Sequence, residues 1–464
     1  MLAGTVFAWL AGVAGSHAAS MSAGPQMSVA RMNQYTVQLP DGRVALLGGH
    51  GTGFVSLNSM DLWSPASNSF TGVALPFAYD GGALVRLSNG SYLMAGGAAD
   101  EGVAPGYATA QILDAASGTV TTTGTTMVHP RMQCNGTQLA GGKALIVGGW
   151  YDNTSATYGE IFDPASKGFS ATGPLNTPRS MPLVYPTADG KAVVFGGLGV
   201  YGGANIPSVE LYDPANNGFS VLAASAITGD TSWAYGNTWY GQSSDQSKTA
   251  DGRYVFLMSR AVISGTEYAL GLFDPAAKQF SKLALTAAFW NGYWVWPPVV
   301  DAANNRVLFL VGANQNNGAN LTFQVFQADL ATGQAQALSD WMSVTNYYPG
   351  CAGITLLQDG RLFVTGGSSR VDYNFNFDPV RNTFFLSGLT PPVQIQSVVV
   401  SGKLLSLTLS GVAGVTCDIQ TLAGLGTSNA WQTLGSLTLT NAIQTWSDSA
   451  PATNFSRFYR LQTP

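Results

Sequence analysis

The sequence predicts an all-β protein, with a seven-bladed β-propeller over residues 25–388 and a small β-sandwich over residues 393–464. Three observations support this fold class. A turn dipeptide, an apolar run and a glycine pair recur about every fifty residues, and a second turn marker follows each copy. The third observation is the composition, in which 56 glycines supply turns and charged residues make up only 10% of 464 residues.

The first marker of each repeat is a turn dipeptide before an apolar run that ends in two glycines. The dipeptides are Asp41-Gly42, Asn89-Gly90, Gly141-Gly142, Asp189-Gly190 and Asp359-Gly360. The glycine pairs are Gly48-Gly49, Gly96-Gly97, Gly148-Gly149, Gly196-Gly197 and Gly366-Gly367. Such dipeptides supply the positive φ that a tight hairpin needs. Each unit should therefore open with two antiparallel strands, A and B.

The second marker combines a large apolar residue with a turn, and an aromatic or aliphatic residue follows it. Its copies are Trp63-Ser64-Pro65, Leu113-Asp114-Ala115, Phe162-Asp163-Pro164, Tyr212-Asp213-Pro214, Phe273-Asp274-Pro275, Ala328-Asp329-Leu330 and Phe377-Asp378-Pro379. The later residue, such as Phe384 in the last copy, is predicted to start strand D. Seven units of four short strands bury their faces when they stack radially, so a ring is expected. Each unit is expected to supply all four of its own strands.

These repeats resemble the Kelch family, whose hallmarks are the glycine doublet, the downstream aromatic and the period of about fifty residues. Pro130-Arg131 and Pro178-Arg179 resemble the opening of bacterial Kelch repeats. The family includes galactose-oxidase-like copper enzymes, whose site joins two histidines, two tyrosines and a tyrosine–cysteine crosslink. Its adjacent Tyr-His pair is missing from this sequence. The resemblance thus implies the propeller fold and does not extend to the copper ligands.

The composition and the first residues indicate a secreted, soluble chain. Residues 1–19 contain an uncharged apolar run and then small residues, as in a signal peptide, although a basic n-region is missing. No other stretch is long and apolar enough to span a bilayer. The formal net charge of −5 argues against a nucleic-acid binder, which needs clustered Lys and Arg. We therefore predict an extracellular or cell-surface location without membrane insertion.

The last seventy residues follow a different pattern. After Pro391-Pro392, short alternating runs such as Leu404–Leu409 predict six or seven strands. The closing Phe458–Leu461 resembles the end of fibronectin-like domains attached to secreted bacterial proteins. This resemblance implies a fibronectin/Ig-like sandwich that attaches the propeller to a cell-surface partner or packs against it.

The order of the strands predicts which face carries function. When strands A to D alternate in direction, the A–B turns lie on one face and the B–C loops share the other face with the D–A connections. The A–B turns are short and nearly identical, whereas the B–C loops differ in every unit. Variable loops on a rigid scaffold tend to carry binding sites. We therefore place the site on the B–C/D–A face.

The predicted ligand on this face is a polysaccharide or other glycan. The candidate ligand-binding residues are one histidine, two arginines that stand 17 residues before a glycine pair, and aromatic residues from loops and from units that depart from the repeat pattern. They are His50, Arg31, Arg179, Trp150, Trp239, Trp290, Tyr293, Trp294, Trp296 and Tyr348. Aromatic rings with few charges suit neutral sugars, whose C–H faces are apolar. The same residues also have a structural interpretation, with arginines bonding carbonyls and aromatics filling blade interfaces.

Two other functions stay open. A polysaccharide lyase needs a base, a proton donor and a cation beside the uronate, and His129, Tyr79 or Tyr240, and Arg131 could supply these. An extracellular protein-interaction scaffold needs no special residues. We expect no metal ion and no cofactor in any of the three.

Overall fold

The structure, a computed structural model, describes residues 19–99, 106–150, 153–200, 202–227, 230–235, 244–262, 265–283, 285, 293–296, 298–315, 320–344, 348–371, 377–389, 394–401, 404–410, 416–422, 431–441, 443–448 and 458–462. These residues form an all-β chain with one short α-helix, α1 (Asn153–Thr157), and three 3-10 segments, Thr52–Phe54, Ser244–Ser247 and Ala302–Asn304. The predicted signal peptide lies outside the described residues apart from Ala19. No helix in the described part is long and apolar enough to cross a membrane.

The chain divides into two compact units. One comprises Met21–Ala337 and Trp341–Ser387, and the other comprises Leu338–Asp340 with the described parts of Met1–Ser20 and Gly388–Pro464. The first unit holds β1 (Ser20–Ala23) from Met21 onward and then a series of antiparallel sheets of four or more strands.

Sheets one to four each contain four consecutive strands with short first and second members. Sheet one is β2 (Tyr35–Gln38), β3 (Val44–Leu47), β4 (Ser59–Ser64) and β5 (Ser69–Ala74). Sheet two is β6 (Ala83–Arg86), β7 (Tyr92–Ala95), β8 (Ala110–Leu113) and β9 (Val120–Thr122). Sheet three is β10 (Asn135–Gln138), β11 (Ala144–Val147), β12 (Tyr158–Asp163) and β13 (Gly168–Pro174). Sheet four is β14 (Leu183–Pro186), β15 (Ala192–Phe195), β16 (Val209–Asp213) and β17 (Gly218–Ala223).

Sheets five to seven contain longer strands. Sheet five is β18 (Ala234–Tyr235), β19 (Tyr254–Val262), β20 (Gly265–Asp274) and β21 (Gln279–Leu283). Sheet six is β22 (Tyr293–Val295), β23 (Val299–Asp301), β24 (Arg306–Gln315), β25 (Asn320–Asp329), β26 (Ala335–Ala337) and β27 (Met342–Ser343). Sheet seven includes β28 (Tyr348–Leu356), β29 (Leu362–Val371), β30 (Phe377–Pro379) and β31 (Thr383–Ser387).

The A–B turns lie where the dipeptides predict them. Asp41-Gly42 separates the paired strands β2 and β3, and Asp359-Gly360 separates β28 and β29. Gly42 and Gly360 have φ values of +86° and +83°, which a residue with a side chain rarely adopts. Local turn chemistry thus sets the register of the first hairpins that carry such a dipeptide.

The hydrophobic cores lie between consecutive sheets rather than within them. One core combines Tyr35 and Val37 of sheet one with Leu84 and Met94 of sheet two. Similar cores join sheets two and three, three and four, four and five, and five and six. A further core joins sheet seven to sheet one through Phe363. Sheet one therefore packs against both sheet two and sheet seven, which is compatible with a β-propeller.

The N-terminal segment supplies the outer strand of sheet seven. The order in this sheet is β1-β31-β29-β28, so the expectation that every unit provides its own four strands is wrong for the last unit. Phe384 lies on β31 and pairs with Val364 of β29, so it belongs to the third strand and not to a fourth. Gly24 N donates to Thr383 O across 2.8 Å and extends the contact.

A short 3-10 segment, Ser244–Ser247, lies among the first strands of several sheets. Ser244 Oγ is 2.9 Å from Thr137 Oγ1 of sheet three, and Gln246 Nε2 donates to Thr36 O of sheet one across 2.7 Å. Asp245 forms an ion pair of 3.5 Å with Arg86 of sheet two. The segment therefore contacts the first strands of sheets one, two and three.

The second unit contains two three-stranded sheets in its described residues. One is β32 (Gln394–Ser401), β33 (Leu404–Ser410) and β36 (Ile443–Asp448), and the other is β34 (Thr416–Leu422), β35 (Gln432–Thr438) and β37 (Phe458–Gln462). Leu407, Leu409 and Ile419 are fully buried between them. Six strands around one core are compatible with a small sandwich.

Candidate functional site

The B–C/D–A face differs on its two sides. Strands β3, β7, β11 and β15 of sheets one to four have four residues each, whereas β19 has nine and β24 and β29 have ten. All start directly after an A–B turn, so the additional residues extend toward the opposite face. Five more residues at about 3.3 Å each extend a strand by roughly 17 Å. We call the extended strands of sheets five to seven the hairpin wall.

Several of the predicted aromatic residues belong to the strands of this wall. Tyr293 and Trp294 lie on β22 and pair with Ala313 and Gly312 of β24. Tyr348 begins β28 and pairs with Ser368 of β29. The side chains of these three aromatics are outside the described part of the structure. Trp239, Tyr240 and Trp290 lie outside the described residues altogether.

Trp296 and Trp150 have described side chains. Trp296 is buried, with 4% of its surface exposed, and its backbone N–H donates to Leu310 O across 3.0 Å. Trp150 follows Gly149 in a B–C loop and is partly buried, with its ring next to Gly202 of the next sheet. Trp296 therefore contributes to packing, whereas Trp150 keeps an exposed edge on the face.

The predicted arginines are buried within the sheets. Arg31, Arg131 and Arg179 have no exposed side-chain surface. Arg31 Nη1 donates to Gly48 O across 2.9 Å and to Ser59 O across 3.0 Å, and so holds both ends of its B–C loop. Burial lowers the pKa of Arg31 and of Arg179, and the neighbouring carboxylates oppose this shift. We assign all three arginines to loop support rather than to a ligand site.

Each buried arginine has a carboxylate partner that the sequence analysis missed. The pairs are Arg31–Asp61 at 2.9 Å, Arg131–Glu160 at 3.4 Å and Arg179–Glu210 at 2.8 Å. Every carboxylate stands two residues before the aromatic residue of the second marker. That fixed spacing is the signal that could have found them. Each also accepts backbone N–H groups of the D–A connection, as Glu210 does from Thr177.

Sheet two replaces this charged pair with neutral residues. Tyr79 stands in the place of the arginine, and Gln111 stands in the place of the carboxylate. Gln111 accepts from Phe77 N across 3.2 Å and donates to Phe77 O across 3.1 Å. Tyr79 is buried, and its hydroxyl has no partner among the described residues. Burial raises the pKa of Tyr79 well above its usual value, which favours the neutral phenol.

His50 is fully buried beside the carboxylate of Asp80. Its Nδ1 lies 2.9 Å from Asp80 Oδ2, and its Nε2 lies 3.3 Å from Asn33 Nδ2. Ser56 Oγ also donates to Asp80 Oδ2 across 3.4 Å. Since both ring nitrogens face polar side chains and no surface is exposed, His50 connects the B–C loop of sheet one to the D–A connection of sheet two.

His129 has a different environment at the junction of sheets two and three. Its Nδ1 lies 3.0 Å from Glu160 Oε1, and 20% of the side chain is exposed. The ring stacks on Tyr158 with 5.6 Å between centroids and 17° between planes. His129 and Arg131 thus both contact the carboxylate of Glu160. Tyr79, the third described member of the hypothetical lyase set, lies in the core between sheets one and two.

Comparison with known proteins shows a shared fold without a shared sequence family. No family description and no curated protein matches the chain. Among solved structures, a novel fungal alcohol oxidase of the AA5 family, in complex with copper, has a TM-score of 0.56 at 14% identity. The alignment covers 96% of this chain and 92% of that one. At this identity the likeness concerns the fold, and it agrees with an all-β propeller-like architecture.

The described residues do not fit a copper site of the galactose-oxidase type. Such a site requires two histidines with available ring nitrogens. His50 uses both nitrogens on Asp80 and Asn33, and His129 uses Nδ1 on Glu160. The described residues contain no group of three His, Cys, Asp or Glu side chains that could hold a metal ion. We therefore derive no reaction step through copper.

Proposed function

We propose that this chain is an extracellular glycan-binding protein that binds its ligand on the B–C/D–A face, beside the hairpin wall. In this proposal the sheets form a seven-bladed Kelch-type propeller closed by β1, and the second unit is a fibronectin/Ig-like sandwich that contacts a cell-surface partner. Secretion through the predicted signal peptide is part of the proposal.

The observation that carries the proposal is the asymmetry of the face. Sheets five to seven extend their B strands, whereas the B strands of sheets one to four end early on the same side. A wall beside a lower surface creates a concave region, which is where ligands bind on rigid scaffolds. Strand β22, which carries Trp294, pairs with the extended strand β24 of this wall.

The chemistry of the face suits a neutral, hydroxyl-rich ligand. Only 45 of the 464 residues are formally charged at pH 7, and Arg31, Arg131 and Arg179 are buried in ion pairs. Long-range electrostatic attraction of a charged ligand would need a surface dominated by one sign. Aromatic and polar side chains instead favour stacking and hydrogen bonding with sugars.

Calorimetric titration against a panel of neutral oligosaccharides tests the proposal. We expect heat with at least one glycan and at least a tenfold rise in Kd for Trp294→Ala, because loss of one buried ring removes about 1.5–3 kcal/mol. Val221→Ala is the matched control, since Val221 is 60% exposed on the outer strand of sheet four. No heat with any glycan, and equal retention of Trp294→Ala on polysaccharide beads, would refute it.

Two further measurements identify the alternatives. Absorbance of unsaturated uronate over an acidic polysaccharide panel would favour the lyase that His129, Tyr79, Tyr240 and Arg131 would serve. Co-elution with a cell-envelope protein in size exclusion, without glycan binding, would favour the scaffold.

A further inference from the structure

His129 offers one ring nitrogen to a ligand, unlike the buried His50. Its Nδ1 contacts Glu160 Oε1, but its Nε2 has no hydrogen-bond partner among the described residues. One fifth of the side chain is exposed, whereas His50 has no exposed side-chain surface. Of these two imidazoles, His129 is therefore the one that a ligand can reach.

The environment of Glu160 determines which nitrogen of His129 carries the proton. Glu160 is fully buried and accepts from Val128 N, His129 N and Arg131 Nη2 at 3.2, 2.9 and 3.4 Å. A carboxylate that accepts these bonds is an acceptor toward the ring as well, so Nδ1 must be the donor. In a neutral imidazole Nε2 then keeps its lone pair and can accept a hydrogen bond.

The ring orientation is also fixed. His129 stacks almost parallel on Tyr158, which belongs to the same strand as Glu160. Glu160 holds one ring edge and Tyr158 covers one ring face, so the imidazole cannot rotate freely. A group held in this way loses little conformational entropy when a ligand binds.

The corresponding positions of other sheets show that the fold does not need a histidine here. Val29 in sheet one and Thr177 in sheet four also stand two residues before the buried arginine. Their backbone N–H groups donate to Asp61 and Glu210 as His129 N donates to Glu160. The side chain of His129 is therefore additional to the structural requirement of the repeat.

We propose that His129 Nε2 accepts a hydrogen bond from a ligand hydroxyl, with Glu160 and Tyr158 as positioning residues. This inference rests on the proposed glycan function and names a contact on the side of the face opposite the hairpin wall. A neutral sugar supplies hydroxyl donors, and its apolar C–H face matches the exposed part of the stacked rings. The bond adds specificity for a hydroxyl at one place on the ligand.

The first experiment probes the nitrogen itself. Diethyl pyrocarbonate acylates an accessible, unprotonated imidazole nitrogen, and peptide mass spectrometry locates the label. We expect label on His129, none on His50, and protection of His129 by the bound glycan. Two-bond ¹⁵N–¹H correlation should show His129 protonated at Nδ1, and Tyr158→Leu should keep this tautomer, because Glu160 sets it.

The second experiment measures binding. His129→Thr copies the residue of sheet four, and it should raise Kd about tenfold, the effect of one lost hydrogen bond of about 1.4 kcal/mol. Thr177→Ala is the matched control and should bind as the wild type does. If Trp294→Ala loses binding while His129→Thr keeps it, the ligand contact of His129 is refuted and the proposed glycan function stands. If the wild type binds no glycan, the proposed function and the ligand role of His129 both fail.

Discussion

Arg179 and Glu210 form an ion pair of 2.8 Å in which neither side chain is exposed. The same pair recurs in sheets one and three, whereas sheet two holds Tyr79 and Gln111 in its place. Both versions support a D–A connection through backbone hydrogen bonds. These two positions of the repeat therefore accommodate either a charged pair or a neutral pair. In sheets one, three and four the buried carboxylate is always paired with an arginine.

The first prediction follows from this relationship. Arg179→Met should lower the free energy of unfolding by about 3–5 kcal/mol, because it leaves Glu210 buried without its counter-charge. The double variant Arg179→Tyr with Glu210→Gln reproduces the pair of sheet two and should lose less than the sum of its single variants. Urea unfolding measures both. Additive losses would contradict the coupling between the two positions.

The second prediction concerns the pairing of the N-terminal segment with sheet seven. A Cβ at Gly24 would meet Thr383 Oγ1 and Phe385 Cε2, the latter at 3.1 Å. Gly24→Val should therefore displace β1 and lower stability by about 1–3 kcal/mol, as overpacking does. Ser22→Ala on the exposed face of β1 is the control. Hydrogen exchange should increase on β31 in the Gly24 variant alone, and unchanged exchange there would contradict a stabilising role of the β1–β31 pairing.

The sequence predicts what local chemistry determines. Gly42 and Gly360 have positive φ because a two-strand turn needs it, and each dipeptide reveals that need. The pairing of β1 with β31 joins residues more than 350 positions apart, and Ser20–Ala23 carries no strand pattern of its own. The buried carboxylates were missed for a different reason. Asp61 and Glu160 look like ordinary surface residues until the arginine beside them is placed.

The third prediction concerns the 3-10 segment Ser244–Ser247. Gln246→Ala should remove the donor to Thr36 O and lower stability by about 1 kcal/mol, since a buried strand-edge carbonyl then lacks its partner. Asp245→Asn should change stability by less than about 0.5 kcal/mol, because its ion pair with Arg86 is half exposed. Thermal unfolding of both variants provides the comparison. A larger effect of Asp245→Asn would reverse this ranking.

The fourth prediction concerns alkaline pH. Burial raises the pKa of Tyr254 to about 12, with a smaller contribution from the negative charge of Asp245, and burial raises the pKa of Tyr212 to about 12. An unfolded tyrosine ionises near pH 10. The folded state therefore binds the phenol proton more tightly, and this contribution to stability is complete below pH 10 and falls as pH rises from 10 to 12.

Parallel titrations check this dependence. The urea concentration at the unfolding midpoint should decrease as the pH rises from 10 to 12. Phenolate absorbance of the native protein should appear at higher pH than that of the urea-unfolded chain. Tyr254→Phe keeps the ring and removes the hydroxyl, so it should lose less stability over this interval than the wild type. Asp245→Asn should shift the ionisation of Tyr254 toward lower pH, because the carboxylate no longer disfavours the phenolate. If the ionisation pH of Tyr254 does not change in this variant, the charge of Asp245 does not act on Tyr254.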